Sequence, residues 1–339
     1  MGQNAAVTVN QMKSVLVTGG AGFLGSRIVR NYLARGINVR VVDSLKQGSL
    51  ENLRACPPGL ELLELDLCDF DRIVDAFADQ DLVIHAAAMI RAESVHEQEL
   101  QKKVNVDATR NVIEACRRNR VRKLLYISTI AAIGISPDPG VPADESFRFN
   151  LEHLGISYNS TKHQAEQLVL DANGPDLATV VVNPGFVFGR RRNGYNGAEV
   201  IQRVLGSRLV ICTNGGLSVV HIDDVIEGIS RVGDKGRAGE RYILSGENLT
   251  FPELAHVVCQ ISGLRKKIIT VPDVITNFAG LLLNASARAR GVSPRFLVLD
   301  RRYAYQFFSS EKARAELGYR PRPFAEIVKD YLDYAVRRG

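Results

Sequence analysis

No run of residues in this 339-residue chain is apolar enough, for long enough, to cross a bilayer. The most apolar stretch, Ile268 to Leu283, is interrupted by Pro272 and Asp273, so no integral membrane segment is expected. Cysteines are few and odd in number: the five, at 56, 68, 116, 212 and 259, include no pair at metal-ligand spacing. That argues against a disulfide framework or a metal site and for buried free thiols in a reducing compartment, with the cytoplasm as the expected location. An excess of one charge is also lacking, since 43 basic and 37 acidic side chains leave a formal charge of +6. Basic residues are scattered and no stripe interleaves them with aromatics, so a nucleic-acid partner is not expected. The first dozen residues lack the apolar core of a signal peptide. Gly2 is followed at position 6 by Ala6 rather than the Ser or Thr that myristoylation needs. Neither an internal repeat nor a low-complexity tract is present.

What is present starts at Ser14. Val15, Leu16 and Val17 make a short buried-strand pattern, a glycine turn follows, and Phe23, Leu24, Ile28, Val29, Tyr32 and Leu33 recur at helical spacing up to Gly36. The turn reads Gly19-x-x-Gly22-x-x-Gly25. Between a strand and a helix, such glycines suit a tight turn, a bare backbone that a pyrophosphate can approach, and a helix packed close to its strand. The helix N-terminus then offers unpaired N–H groups and partial positive charge to the phosphates. A second strand, Asn38 to Asp43, ends in an acid 18 residues past Gly25. A carboxylate there accepts from the adenosine ribose and repels a 2′-phosphate, so NAD is expected as cofactor. Lys46 and Arg40 nearby leave NADP open.

Strand patterns continue at Leu60–Asp66, Leu82–Ala87, Lys123–Thr129 and Ala178–Asn183, with helical patterns between them. Helices are expected over 69–78, with Ile73, Val74 and Phe77 inward, and over 97–118, with Leu100, Val104, Ala108, Val112 and Ala115 on one stripe that also carries Asn105. The small residues Ala86 and Ala87 leave room for a flat ligand, and His85 reads as a satisfied buried histidine. Alternation of this kind predicts an α/β fold with a doubly wound parallel sheet, whose ligands sit beyond the carboxyl ends of the strands. Past Pro184 the rhythm breaks, and from Asn248 the pattern is mostly helical. The expected division is a dinucleotide-binding domain of 12–185 plus 219–245 and a smaller substrate lobe of 186–218 plus 246–339. A Pro-, Asp- and Gly-rich loop, Ile135 to Phe149, precedes a helix on which Tyr158 and Lys162 stand four apart, hence on one face. A phenol beside a lysine cation is shifted toward phenolate and can exchange protons with a substrate, while Thr129 at a strand end can hydrogen-bond the substrate oxygen.

These motifs together resemble the extended short-chain dehydrogenases/reductases, also called the NAD-dependent epimerase/dehydratase family. The likeness runs from Lys13 to about Tyr334 through VTGGAGFLGS (17–26), DLCD (66–69), IHAAA (84–88), NVDATRNV (105–112), YISTIAAIG (126–134), YNSTK (158–162), VVNPGFVFG (181–189) and VHIDDV (220–225). The resemblance implies that Thr129, Tyr158 and Lys162 are catalytic and that Asn105 supports them. It further implies that Asp66 and Leu67 meet the adenine, that Asn183 to Val187, with Pro184, meet nicotinamide and substrate, and that the chain forms a homodimer. GERYILSGENLT (239–250) and FFSSEKARAELGYRPRP (307–323) look like the branch of hopanoid-associated sugar epimerases and dihydroflavonol-reductase-like or 3β-hydroxysteroid-dehydrogenase-like enzymes. The arginine that clamps a nucleotide diphosphate in many relatives is here Leu217, with Arg190, Arg191 and Arg192 as conceivable substitutes. Three functions follow for test. The first is hydride transfer between NAD(P) and a carbonyl/hydroxyl pair on a small or lipid-like substrate, with an apolar lining around Phe278, Leu281, Leu282 and Leu283. The second is a sugar epimerase or dehydratase with tightly held NAD; against a dehydratase, Ile130 and Ala131 stand where it would carry an acid/base pair. The third is a non-catalytic NAD(P) sensor.

Overall fold

A computed structural model describes residues 12–54, 56–191, 194–275 and 303–337. Its strands in chain order are β1 (Ser14–Thr18), β2 (Asn38–Asp43), β3 (Leu60–Glu64), β4 (Leu82–His85), β5 (Lys123–Ile127), β6 (Ala178–Pro184) and β7 (Phe186–Arg191). They continue with β8 (Gly194–Asn196), β9 (Leu209–Thr213), β10 (Gly216–His221), β11 (Arg241–Leu244), β12 (Glu247–Thr250), β13 (Lys267–Val271) and β14 (Tyr305–Gln306). The α-helices are α1 (Phe23–Ala34), α2 (Phe70–Ile73), α3 (Val95–Lys102), α4 (Ala108–Arg118), α5 (Ser157–Asp171), α6 (Ala198–Gly206), α7 (Ile222–Lys235), α8 (Phe251–Ser262), α9 (Glu311–Leu317) and α10 (Phe324–Val336).

Seven parallel strands form the main sheet in the order β11-β6-β5-β4-β1-β2-β3. The order reverses between β1 and β4, which opens a crevice at their carboxyl ends. Alternation along each strand feeds two cores. Val15, Val17, Leu82, Ile84, Leu125, Val180 and Val182 face α1 and α7, while Leu16, Val83, Leu124, Tyr126 and Val181 face α4 and α5. Both faces are covered, which is why these strands read as near-continuous apolar runs. A third core, built on Phe188, Ile201, Val258, Phe324 and Tyr331, lies between a second sheet (β12-β10-β7-β8, with β14 on β10) and helices α6, α8 and α10.

Several expectations are corrected. The boundary at 219 falls inside β10, which belongs to the second sheet; α7 and β11 are the parts of 219–245 that join the main one. The region after Asn248 holds β12, β13 and β14 as well as helices, because short strands completing small sheets carry little periodic signal. The helix expected over 69–78 ends at Ile73 and continues as a 3₁₀ turn, Val74–Phe77. The helix expected over 97–118 is broken by a π turn, Lys103–Asp107. A π turn adds a residue, and one residue rotates the helical face by about 100°. Leu100, expected inward, is therefore exposed, and Gln101 is buried in its place. Cys116, Cys212 and Cys259 are buried free thiols as expected, whereas Cys56 and Cys68 are only partly buried. Arg192 and the Phe278–Leu283 stripe lie outside the described residues.

Candidate active site

The glycine turn is shaped by contact rather than by a side-chain cap. Gly19 has a φ of +68°, and a Cβ there would stand 2.7 Å from the Ala87 backbone. At Gly25 a Cβ would stand 2.1 Å from the Gly19 carbonyl oxygen, which is how α1 reaches the strand. Gly22 caps α1 without a side-chain hydrogen bond, and the first turn, beginning Phe23 and Leu24, holds no acidic residue. The helix therefore presents bare N–H groups to an anion, and these residues fit a dinucleotide's phosphates.

At the end of β2 the buried Asp43 carboxylate accepts from the Ala21 N–H and the Leu45 N–H, both at 2.9 Å. It ties the glycine turn to the neighbouring strand and holds its own orientation. Lys46 Nζ donates to Asp66 Oδ2 at 2.8 Å, and the Cys68 N–H donates to Oδ1. Burial pushes the Asp66 acid up, but these donors outweigh it and hold the carboxyl below its ordinary value. Arg40 turns away, donating to Glu61 and to the Ala76 and Ala78 carbonyls. Leu67 is buried, and its carbonyl accepts from Asn111. Ala86 and Ala87 continue from β4 along Thr18, the Ala86 N–H donating to the Thr18 carbonyl.

His85 is fully buried between Thr18 and Thr109, at 2.7 and 3.0 Å. Thr109 gives its hydroxyl proton to the Asn105 carbonyl, so His85 Nε2 must be the donor toward Thr109 and Nδ1 the acceptor from Thr18. Both nitrogens are satisfied in the neutral ring, and burial pushes its pKa down to about 3. Since the unfolded chain takes up this proton near pH 6.5 and the folded one does not, stability falls as pH drops from about 6.5 toward 3. The loss expected by pH 4 is about 3 kcal/mol, read as a falling Tm. A His85→Gln variant should flatten that drop; an unchanged acid profile would show that another group controls it.

Thr129 follows β5 and caps a 3₁₀ turn through the Ala131 N–H. Tyr158, near the start of α5, is partly buried. Burial raises its phenol above the ordinary value, and the Thr129 hydroxyl beside it works the other way. Thr129 and Tyr158 thus meet. Lys162, one turn on, is buried and donates to Tyr126 Oη at 2.7 Å and to the Ile127 carbonyl at 2.8 Å. Burial lowers its pKa to about 7, with the Glu166 charge opposing. Asn105 lies within the π turn and is buried. Its side chain accepts from the Met89 N–H and donates to the Met89 carbonyl and to Thr161, the neighbour of Lys162. Asn183 lies near the end of β6, its Nδ2 donating to the Thr129 carbonyl and to Glu166. Pro184 and Val187 follow it along the chain into β7.

Three participants escaped the sequence reading: Tyr126 as the partner of Lys162, and the buried Glu166 carboxylate with its partly buried partner Arg241 at 2.8 Å. Tyr126 sits on the inner face of a strand, where it reads as core. Glu166 lies four residues past Lys162 on one helix face, the signal that could have drawn attention to it. Of Arg190 and Arg191 at the end of β7, Arg190 is spent on Asp330 at 2.7 Å. Leu217 is partly buried and packs against the third core. Among the described residues no cluster of His, Cys, Asp or Glu could hold a metal ion, and no helix is long and apolar enough to cross a membrane.

Residues 16–225 match the sequence profile of the 3-beta hydroxysteroid dehydrogenase/isomerase family. The chain is 29% identical, over 95% of its length and 96% of the relative's, to the 4-hydroxy-2-methyl-3-oxo-4-farnesyl-3,4-dihydroquinoline-1-oxide ketoreductase of Stigmatella aurantiaca. Its fold superposes on the crystal structure of gox2253 with a TM-score of 0.82 and 32% identity, covering 96% of this chain and 99% of the other. The UDP-glucose 4-epimerase of Thermus thermophilus, crystallised with NAD, superposes with a TM-score of 0.71 and 27% identity, covering 94% and 98%.

Proposed function

This chain belongs to the 3-beta hydroxysteroid dehydrogenase/isomerase family, within the extended short-chain dehydrogenases/reductases, and from that we propose a reductase acting on a ketone of a lipid-like, non-nucleotide substrate. The observation that carries the reading is the Tyr158 phenol set beside the Thr129 hydroxyl, where Thr129 follows the carboxyl end of β5 in the sheet whose β1 leads into the glycine turn. Gly19, Gly22, Phe23, Leu24, Gly25, Asp43, Asp66, Leu67, Ala86, Ala87, Pro184 and Val187, with Tyr158 and Lys162, would hold NAD. When bound, the nicotinamide supplies or accepts the hydride. The chain's own residues do the rest. Thr129 hydrogen-bonds the substrate oxygen and orients it. Tyr158, protonated at neutral pH because burial raises its phenol, donates the proton that the developing alkoxide needs. In the reverse direction it takes that proton back. Lys162, lowered to about 7 by burial and fixed on Tyr126, lies one turn along α5 from the phenol, and Asn105 holds Thr161, the residue before it.

Three points support a lipid-like ketone. One relative is by its name a ketoreductase of a farnesylated quinoline oxide. Ile90, Val141 and Phe186, on the segments that leave β4, β5 and β6, are large apolar side chains left exposed. The diphosphate clamp is replaced by Leu217, and Arg190 is already paired. NAD is favoured because the Asp43 carboxylate is held in place by two backbone donors and cannot swing away from a 2′-phosphate. The homodimer implied by the resemblance is kept, packed through the outer faces of α4 and α5.

Titration of the purified protein with NADH and NADPH tests this, together with mass spectrometry of any small molecule it carries and light scattering of the same preparation. The expected result is reversible NADH binding at least tenfold tighter than NADPH, a dimer mass, and NADH oxidation with prenylated or steroidal ketones. Stoichiometric NAD that does not exchange, with turnover of a UDP-sugar, would instead establish the epimerase. A preference for NADPH would overturn the role given to Asp43.

A further inference from the structure

We propose that Glu166 is a positioning residue, holding Thr129 toward Tyr158 through Asn183 and Ser128. The inference rests on the pairing of Thr129 with Tyr158 described above. Glu166 lies on α5 one turn past Lys162 and is 0% exposed. A buried carboxylate is tolerated only when paired and hydrogen-bonded. Here Arg241 Nη1 donates to Oε1 at 2.8 Å, while Ser128 Oγ and Asn183 Nδ2 donate to Oε2 at 2.5 and 2.7 Å. The same Asn183 nitrogen donates to the Thr129 carbonyl at 3.0 Å. Both of its neighbours are acceptors, so it is the nitrogen, not the oxygen, of the amide that must face them. Thr129 is thus gripped twice from one carboxylate: through its own carbonyl by Asn183, and through the residue before it by Ser128. With the Ser128 N–H also bonded to the Val182 carbonyl, the backbone leaving β5 is fixed, and the Thr129 hydroxyl, which accepts from the Ala131 N–H, is set on that fixed backbone. None of the side-chain atoms in this network belongs to the sheet ladder, and a core of this size needs no buried carboxylate. An apolar replacement packs as well or better in many proteins.

The test reads Tyr158 directly and needs no substrate. The full chain is made with 3,5-difluorotyrosine at position 158, whose more acidic phenol titrates while the protein stays folded, and is followed by fluorine NMR against pH. Thr129→Ala removes a hydrogen bond to the phenolate and should raise the titration by about one pH unit. Glu166→Gln and Asn183→Ala should each raise it by a comparable amount, and Glu166→Gln combined with Thr129→Ala should add nothing to Thr129→Ala alone. Loss of the Glu166 charge by itself would act the other way, since an anion disfavours the phenolate. Tyr126 and Arg241 are the same in every variant; Lys162 loses the support of the Glu166 charge in Glu166→Gln but keeps it in Asn183→Ala, which is therefore the deciding variant. A titration at or below that of the parent in Glu166→Gln and Asn183→Ala, with Thr129→Ala raised, overturns the proposal and leaves the reading of the active site intact. If Glu166→Gln does not fold, Asn183→Ala decides alone, because it keeps the Glu166–Arg241 pair. No shift in Thr129→Ala would remove the Thr129–Tyr158 pairing itself, and both readings would fall.

Discussion

Replacement of Tyr158 by phenylalanine should lower turnover by about a thousandfold, within the range that a positioned general acid contributes, while NADH binding and Tm stay close to the parent. The substitution deletes one oxygen and keeps the ring, so the packing of α5 is preserved. What disappears is the proton donor. The phenol is held protonated by burial, so in the reduction direction the parent enzyme should keep its rate through neutral pH and lose it only above the ordinary phenol range. The phenylalanine variant should show no such alkaline limb. Steady-state rates against pH, with NADH titration as the control for an intact cofactor site, check both parts. A variant within tenfold of the parent would take Tyr158 out of the chemistry.

The second large effect is expected at Gly25. In Gly25→Ala the new methyl would meet the Gly19 carbonyl oxygen at 2.1 Å and the Gly20 Cα at 2.9 Å. These are backbone atoms of the turn itself and cannot rotate aside as a side chain would. Either α1 moves off the strand or the turn opens. Overpacking of this kind costs on the order of 1–3 kcal/mol, and either movement also withdraws the helix N-terminus from the phosphates. NADH affinity should fall at least a hundredfold and Tm should drop. Gly206→Ala, at the end of α6 with open space around it, is the matched control and should change neither. Near-parental NADH binding by Gly25→Ala would mean that the phosphates lie elsewhere.

The parts of this molecule that could be read in advance are those written locally. The β1–turn–α1 unit, Asp43 at the end of β2 and the alternation that builds the main sheet each depend on neighbours within a few dozen residues. Tyr158, and the Lys162 on the same face, were legible for the same reason. The supports behind them were not. Tyr126, Glu166 and Arg241 come from β5, α5 and β11, and only the sheet order brings them together. The π turn at Lys103–Asp107 was hidden because Leu100, Val104 and Ala108 fit a straight helix by spacing alone. What decides against it is the demand of the buried Asn105 and Gln101 amides for the Met89 backbone. The strands β9 and β13 pair in parallel across 58 residues, Leu209 with Lys267, a match that no short window can register.

Arg241 reaches beyond Glu166. Its Nε and Nη2 donate to the Glu145 and Phe147 carbonyls of the loop that joins Thr129 to Tyr158. Main-chain carbonyls are the same whatever residue bears them. The anchor is therefore blind to the identity of side chains at positions such as Ser146 and Arg148, and new ones can be installed there without cutting the loop loose. Over evolutionary time, or in a mutant library, this stretch is free to diversify while Thr129 and Tyr158 at its two ends keep their places. Variation in substrate choice would be expected to accumulate in the loop rather than in the residues that hold it.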